Sequence, residues 1–238
     1  MRLDKFLREM NIGTRSQVKT YIRQGFVAVN GIPAKSADMK VDENTDKVTF
    51  RERPVQFRKY SYYMLNKPAG IVSATTDNTA DTVVSLLKDE IHAGELFPVG
   101  RLDKDTTGLL LLTNDGELAH RLLSPARHVD KTYQVTLEHP VSRHDIDRLE
   151  AGVDIGDEKP TLPARVSVAA EYPDTILLTI HEGRFHQVKR MMLAVGNGVR
   201  GLKRISFGKL CLDETLMEGD YRELTPAEIE LLKTSISD

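Results

Sequence analysis

The sequence predicts an α+β protein in two parts: a small basic module of two helices and a hairpin, then a larger body around a mixed, largely antiparallel sheet. Three observations carry this. Charge is the first: the 238 residues have a net charge of −2, yet Met1 to Tyr60 hold 13 Lys and Arg against 7 Asp and Glu, while the rest hold 20 against 28. A basic quarter of this kind, set on an acidic body, is suited to a polyanion. Periodicity is the second, since the apolar residues near the start recur at helical spacing. The third is a set of strand-like runs through 60–73, 109–113, 132–137, 165–169 and 175–181, joined without regular βαβ alternation.

Leu3, Phe6, Leu7 and Met10 fall at i, i+3, i+4 and i+7, one apolar stripe of a helix that Asn11 to Gly13 ends. Thr14 and Gln17 have the spacing of a capping box and open a second helix that buries Val18, Tyr21 and Ile22 and stops at Gly25. On it Arg15, Lys19 and Arg23 rise as a row four residues apart, a spacing suited to phosphates. Val27 to Val29 then run into Asn30-Gly31, a strong hairpin signal. Arg51 to Lys59, charged and Pro-interrupted, reads as a linker. The domains are therefore expected at 1–58 and 59–238.

In the body, Tyr60 to Leu65 is strand-like and stops at the turn Asn66-Lys67-Pro68-Ala69-Gly70, with Ile71 to Ser73 as the next strand. Val83 to Leu87 suits a helix over the sheet. Leu109 to Leu112, bracketed by Gly108 and by Asn114-Asp115-Gly116, reads as a buried strand, so Asp103 sits on a polar loop leading into the core. From Arg184 to Lys209 there are seven basic residues and no acidic one, which reads as a second polyanion-binding face containing Arg190, Arg200, Lys203 and Arg204. Leu224-Thr225-Pro226 caps a closing helix over Ala227 to Lys233.

Composition excludes several classes. Hydrophobic residues at 40% and charged residues at 29% are those of an ordinary globular chain. A single cysteine, Cys211, supports neither a disulfide framework nor a cysteine-rich zinc site, and fits a reducing compartment. No window suggests a signal peptide or a membrane span, so the cytoplasm is the expected location. The seven histidines lack ligand spacing, and neither a Walker A nor a dinucleotide fingerprint occurs, so no metal and no cofactor is expected.

Two resemblances give these parts a function. RLDKFL, TRSQVKTYIRQG and VAVNG in order resemble the alpha-L (S4-like) RNA-binding motif. GRLDKDTTGLLLLTNDG, with Asn66 to Gly70, Lys131-Thr132-Tyr133 and Glu182 to Met191, resembles the RsuA family of pseudouridine synthases over nearly the whole chain. The resemblance implies a pseudouridine synthase catalytic domain with Asp103 as its catalytic carboxylate and Lys189 as the basic partner, Arg184 close behind. It also implies Tyr133 beside the uracil, and Arg101, Arg184 and Leu202 in the pocket. The expected reaction converts one uridine of ribosomal RNA to pseudouridine, most closely in 16S RNA of an assembling small subunit, by a monomer. The same reaction on 23S RNA or transfer RNA, an N-glycosidase, and a non-catalytic assembly factor that keeps the grip are the alternatives.

Overall fold

The apolar stripe of the first helix, α1 (Leu3–Glu9), is buried whole: Leu3, Phe6, Leu7 and Met10 pack with Val18 and Ile22 of α2 (Arg15–Arg23). Thr14 caps α2 as its spacing requires, with the Gln17 side chain accepting from the Thr14 amide at 2.8 Å and the Gln17 amide donating to the Thr14 hydroxyl at 3.4 Å. Asn30 and Gly31 both take left-handed backbone, at φ 53° and 79°, and close the hairpin of β1 (Val27–Val29) and β2 (Ile32–Pro33). This computed structural model describes residues 1–169 and 172–236. Its chain divides into two compact units, Met1–Ser61 with Leu87–Leu96, and Tyr62–Leu86 with the residues from Phe97 onward.

The first unit holds more sheet than the sequence suggests. β3 (Val48–Phe50) pairs with β1, and β4 (Arg53–Val55) pairs with β3, giving the order β2-β1-β3-β4. The supposed linker therefore begins as a strand. Pro54 is tolerated there because β4 is an edge strand, where a missing N–H costs no ladder bond on the open side.

In the second unit β5 (Tyr62–Lys67), β6 (Phe97–Pro98) and β7 (Thr107–Thr113) precede α3 (Gly116–Leu123). β8 (Lys131–Leu137), α4 (Arg143–Ala151), β9 (Arg165–Ala169) and β10 (Tyr172–Ile180) follow. α5 (Gln187–Ala194), β11 (Val199–Phe207), β12 (Leu210–Cys211), β13 (Tyr221–Glu223) and α6 (Pro226–Thr234) complete it. The main sheet runs β13-β5-β7-β11-β8-β10-β9, antiparallel except where β7 meets β11 in parallel. Leu109 to Leu112 are all buried, as a strand covered on both faces must be. Ile71 to Ser73 does not continue as a strand, and Val83–Leu87 is a 3-10 helix.

β11 is the largest departure from the sequence reading. Part of the stretch from Arg184 to Lys209, read as a basic face, is a nine-residue central strand neighbouring β7 on one side and β8 on the other. Its sequence has no clean period of two, and the charges at Arg200, Lys203 and Arg204 give it the marks of a surface, although Arg204 and Phe207 are buried. Among the described residues no helix is long and apolar enough to cross a membrane.

Candidate active site

The loop ahead of β7 is fastened from several sides. Leu102, buried, exchanges two hydrogen bonds with the Ser73 hydroxyl, at 2.9 and 3.1 Å. The Gly70 amide donates to the Lys104 carbonyl at 2.8 Å. Lys67, fully buried in the turn after β5, donates to the carbonyls of Pro68 at 2.9 Å, Lys104 at 3.2 Å and Thr106 at 2.9 Å. Its ammonium thereby gives each of its three protons an acceptor, which offsets the cost of burying the charge. That burial pushes its pKa down to about 8, against the opposing pull of Asp105, Asp103 and Glu218.

So held, Asp103 presents a carboxylate that is about a quarter exposed. The Lys189 ammonium from the first turns of α5 lies 3.2 Å from Asp103 Oδ2, and His186 Nε2 lies 3.5 Å from Oδ1. Lys189 also donates to both oxygens of Asp105, at 2.7 and 2.9 Å. Burial alone would lower the Lys189 pKa, but the hydrogen bonds to Asp105 and Asp103 outweigh it and raise it above its ordinary value. The same hydrogen bond from Lys189 holds Asp105 below the usual carboxylate range. One cation thus ties the Asp103 loop to α5 through two carboxylates.

Asp103 faces a cavity shared with Arg101, Tyr133, Arg184, Lys189 and Leu202. β8 supplies Tyr133, almost fully buried, and the neighbouring strand β11 supplies Leu202. A larger chamber of about 730 Å³ adjoins it across Arg101, Tyr133, Gly183 and Arg184. Room for a planar base and the Asp103 carboxylate therefore meet at one place. The site residues expected from four separate stretches of sequence, Arg101 and Asp103, Tyr133, Arg184 and Lys189, and Leu202, converge there.

The basic residues fare differently. Arg15, Lys19 and Arg23 all lie exposed on α2. Arg204, expected on an RNA face, is instead buried: its Nε donates to the Leu109 carbonyl at 2.8 Å and its guanidinium stacks over Phe207 at 5.1 Å. Arg190 is bound to the Ile155 carbonyl and to Asp157, and Arg200 to the Leu137 carbonyl and to Asp174. Arg184 does not reach Asp103 as an ion pair; it donates to the carbonyls of Lys159 and Pro160 and pairs with Glu182 at 2.6 Å. A window without acids in sequence is not one without acids in space, because Asp157, Asp174 and Glu182 come to it from elsewhere. Lys203 remains half-buried on β11.

Lys67, Asp105 and His186 were missed as site residues by sequence reasoning. Apart from the bond of Lys67 to neighbouring Pro68, their contacts at the site span from 37 to 84 positions along the chain, so spacing gives no sign of them. The position of Lys67 within the Asn66–Gly70 motif, of Asp105 two places after Asp103 and of His186 within Glu182 to Met191 offered the available signal.

The chain resembles known proteins over nearly its whole length. A family model described as RNA pseudouridylate synthase matches residues 61–194, and one described as S4 domain matches residues 1–46. An uncharacterized RNA pseudouridine synthase of Bacillus subtilis is 50% identical over 234 residues, 98% of each chain. Ribosomal small subunit pseudouridine synthase A of Haemophilus influenzae is 45% identical over 98% of this chain and 99% of its own. Its Escherichia coli K12 counterpart is 44% identical over 96% and 98%. The crystal structure of a pseudouridylate synthase, 44% identical, superposes with a TM-score of 0.69 over 98% of this chain and 99% of that one.

Proposed function

Because this chain belongs to the RNA pseudouridylate synthase family, we propose that it isomerises one uridine of small-subunit ribosomal RNA to pseudouridine, with Asp103 as the reacting carboxylate. In the reaction the bond from uracil N1 to ribose C1′ breaks, the base turns, and C5 bonds to C1′. C5 loses its proton and N1 gains one, so the product is an isomer and neither an electron carrier nor an energy source is consumed. A carboxylate at C1′ serves by attacking the sugar or base, or by taking a sugar proton to give a glycal.

The observation that carries this reading is the contact of Asp103 with Lys189 at 3.2 Å, on a loop fixed from below by Lys67, at the mouth of a cavity lined by Tyr133 and Leu202. Lys189 orients the carboxylate; Tyr133 offers a ring face and a phenol to the uracil, and Leu202 packs against it. Arg101, exposed at the same mouth, contacts the RNA there. Residues 1–58 form the RNA-gripping module, with Arg15, Lys19 and Arg23 on phosphates, and residues 59–238 form the catalytic domain. Lys203 joins that grip; Arg190 acts chiefly by holding residues 155–157 against the Phe185 carbonyl, and Arg200 by tying β8 to β10. The small-subunit target follows the relatives named above, and we place the reaction in the cytoplasm, on an assembling particle, with the chain acting as a monomer.

RNA labelled with tritium at uracil C5 tests this, since the new carbon–carbon bond releases tritium to water. Wild type releases one equivalent per small-subunit RNA, while Asp103→Asn releases none and still binds the RNA. Free uracil in place of retained base would make the protein an N-glycosidase, and binding without release by wild type would make it a non-catalytic factor.

A further inference from the structure

Among the described residues Phe185 is the most exposed large apolar side chain, at 76%. Scattered exposed apolar residues are ordinary on a surface, but this one is built in. Its ring lies on the His186 imidazole with centroids 3.8 Å apart and planes 18° apart. His186 holds left-handed backbone at φ 48°, which turns the chain sharply between the Phe185 ring and α5. The same imidazole lines the catalytic cavity and reaches Asp103 at 3.5 Å.

The backbone around the ring is fastened. Arg190 donates to the Phe185 carbonyl at 3.0 Å and is itself anchored on the Ile155 carbonyl. The Arg184 amide donates to the Gln187 side chain at 3.0 Å. The two rings are therefore held rigidly in sequence, one at the reacting carboxylate and the next in solvent.

We propose that Phe185 is a stacking platform for a base of the RNA next to the target uridine. This rests on the RNA substrate argued above. A uridine can meet Asp103 only after leaving its stack, and the neighbours it leaves lose a partner. A ring held at the rim of the pocket replaces that partner, and it does so for any base because each presents a π-face. The Phe185 ring has one face on His186, so a base on its other face extends a stack that ends beside Asp103. The left-handed turn at His186 sets the direction of that stack.

The chain contains no tryptophan, so Phe185→Trp supplies a single fluorophore at the platform. The full-length variant is titrated with a small-subunit ribosomal RNA transcript and with a mixed-sequence single-stranded RNA 12-mer. The emission is quenched on binding either RNA, whereas Leu231→Trp on α6 keeps its emission. In parallel, Phe185→Ala loses kcat/KM on the transcript by roughly 5- to 150-fold, the loss of one base-on-ring stack. Its thermal midpoint stays that of wild type, and Phe185→Tyr recovers the rate.

Unquenched emission at RNA concentrations that saturate binding, or wild-type kcat/KM in Phe185→Ala, overturns the proposal. If wild type forms no pseudouridine in the transcript, the substrate reading fails, and quenching by the 12-mer alone decides whether bases stack on residue 185.

Discussion

Lys67 does not itself line the cavity that Asp103 faces, yet it binds the carbonyls on both sides of Asp105. Lys67→Met keeps the side chain's length and leaves those carbonyls unpaired. Since small displacements of a reacting group cost rate steeply, turnover should fall by about tenfold or more while RNA affinity holds. Single-turnover kinetics and filter binding separate the two, and unchanged turnover would mean the loop is held without it. A pH effect follows from the same burial. Lys67 and Lys131 both have pKa values lowered to about 8 by burial, below the ordinary 10.5. The unfolded chain therefore holds more protons than the folded one between these values, and stability rises as pH goes from about 8 towards 10.5. The urea midpoint should climb over that range, and Lys67→Met should remove part of the climb. Asp103, Tyr133 and Lys189 were legible because motif order marked them. Lys67 and His186 were not, because their work consists of contacts across the fold, and Arg204 misled because a charged residue is usually solvated.

Gly108 opens β7 at φ 98°, where an added Cβ would collide with the backbone of Arg204 on β11. The parallel step between β7 and β11 depends on that close approach, and the Asp103 loop precedes it directly. Gly108→Ala combines a strained φ with a backbone clash and should destabilise the chain by about 2 kcal/mol or more, read as a shift in urea midpoint. A loss under a few tenths would show that the strands can part without cost. On α2, replacing Arg15, Lys19 and Arg23 together by Gln should weaken RNA binding and flatten its salt dependence by roughly 2 to 3 in log–log slope, with kcat at saturation kept. An unaltered slope would place the phosphate contacts elsewhere. α1, α2 and β7 could be read from spacing and caps, since amphipathic period and bracketing glycines are local signals. β4 and β11 could not: proline in one and three cations in the other are the marks of a loop or a surface, and sheet position overrode them.

The charge asymmetry divides the sequence near residue 60, whereas the first compact unit also takes in Leu87–Leu96; nor is there any sign in the sequence of the network that closes the second. Arg222 on β13 binds Glu228 of α6 through two bonds of 2.9 and 2.8 Å, and Asp213 at 2.6 Å. Hydrogen bonds from Arg222 and Thr225 hold Glu228 down to about 2, and those from Thr215 and Arg222 hold Asp213 there too. Both values lie below the ordinary 4.5 and 3.8. Their stabilisation is complete above about pH 4.5 and is lost as pH falls towards 2. Arg222→Met should raise the midpoint of acid unfolding followed by circular dichroism; an unmoved midpoint would assign acid stability to other carboxylates. The central claim, a synthase whose Asp103 acts on small-subunit RNA, is tested most directly in cells. Pseudouridines in both ribosomal RNAs are mapped by carbodiimide-stop primer extension in cells lacking the gene and after its restoration. The account predicts one small-subunit signal that vanishes, returns with wild type and stays absent with Asp103→Asn; a signal that Asp103→Asn restores, or a small-subunit map unchanged by deletion, would contradict it.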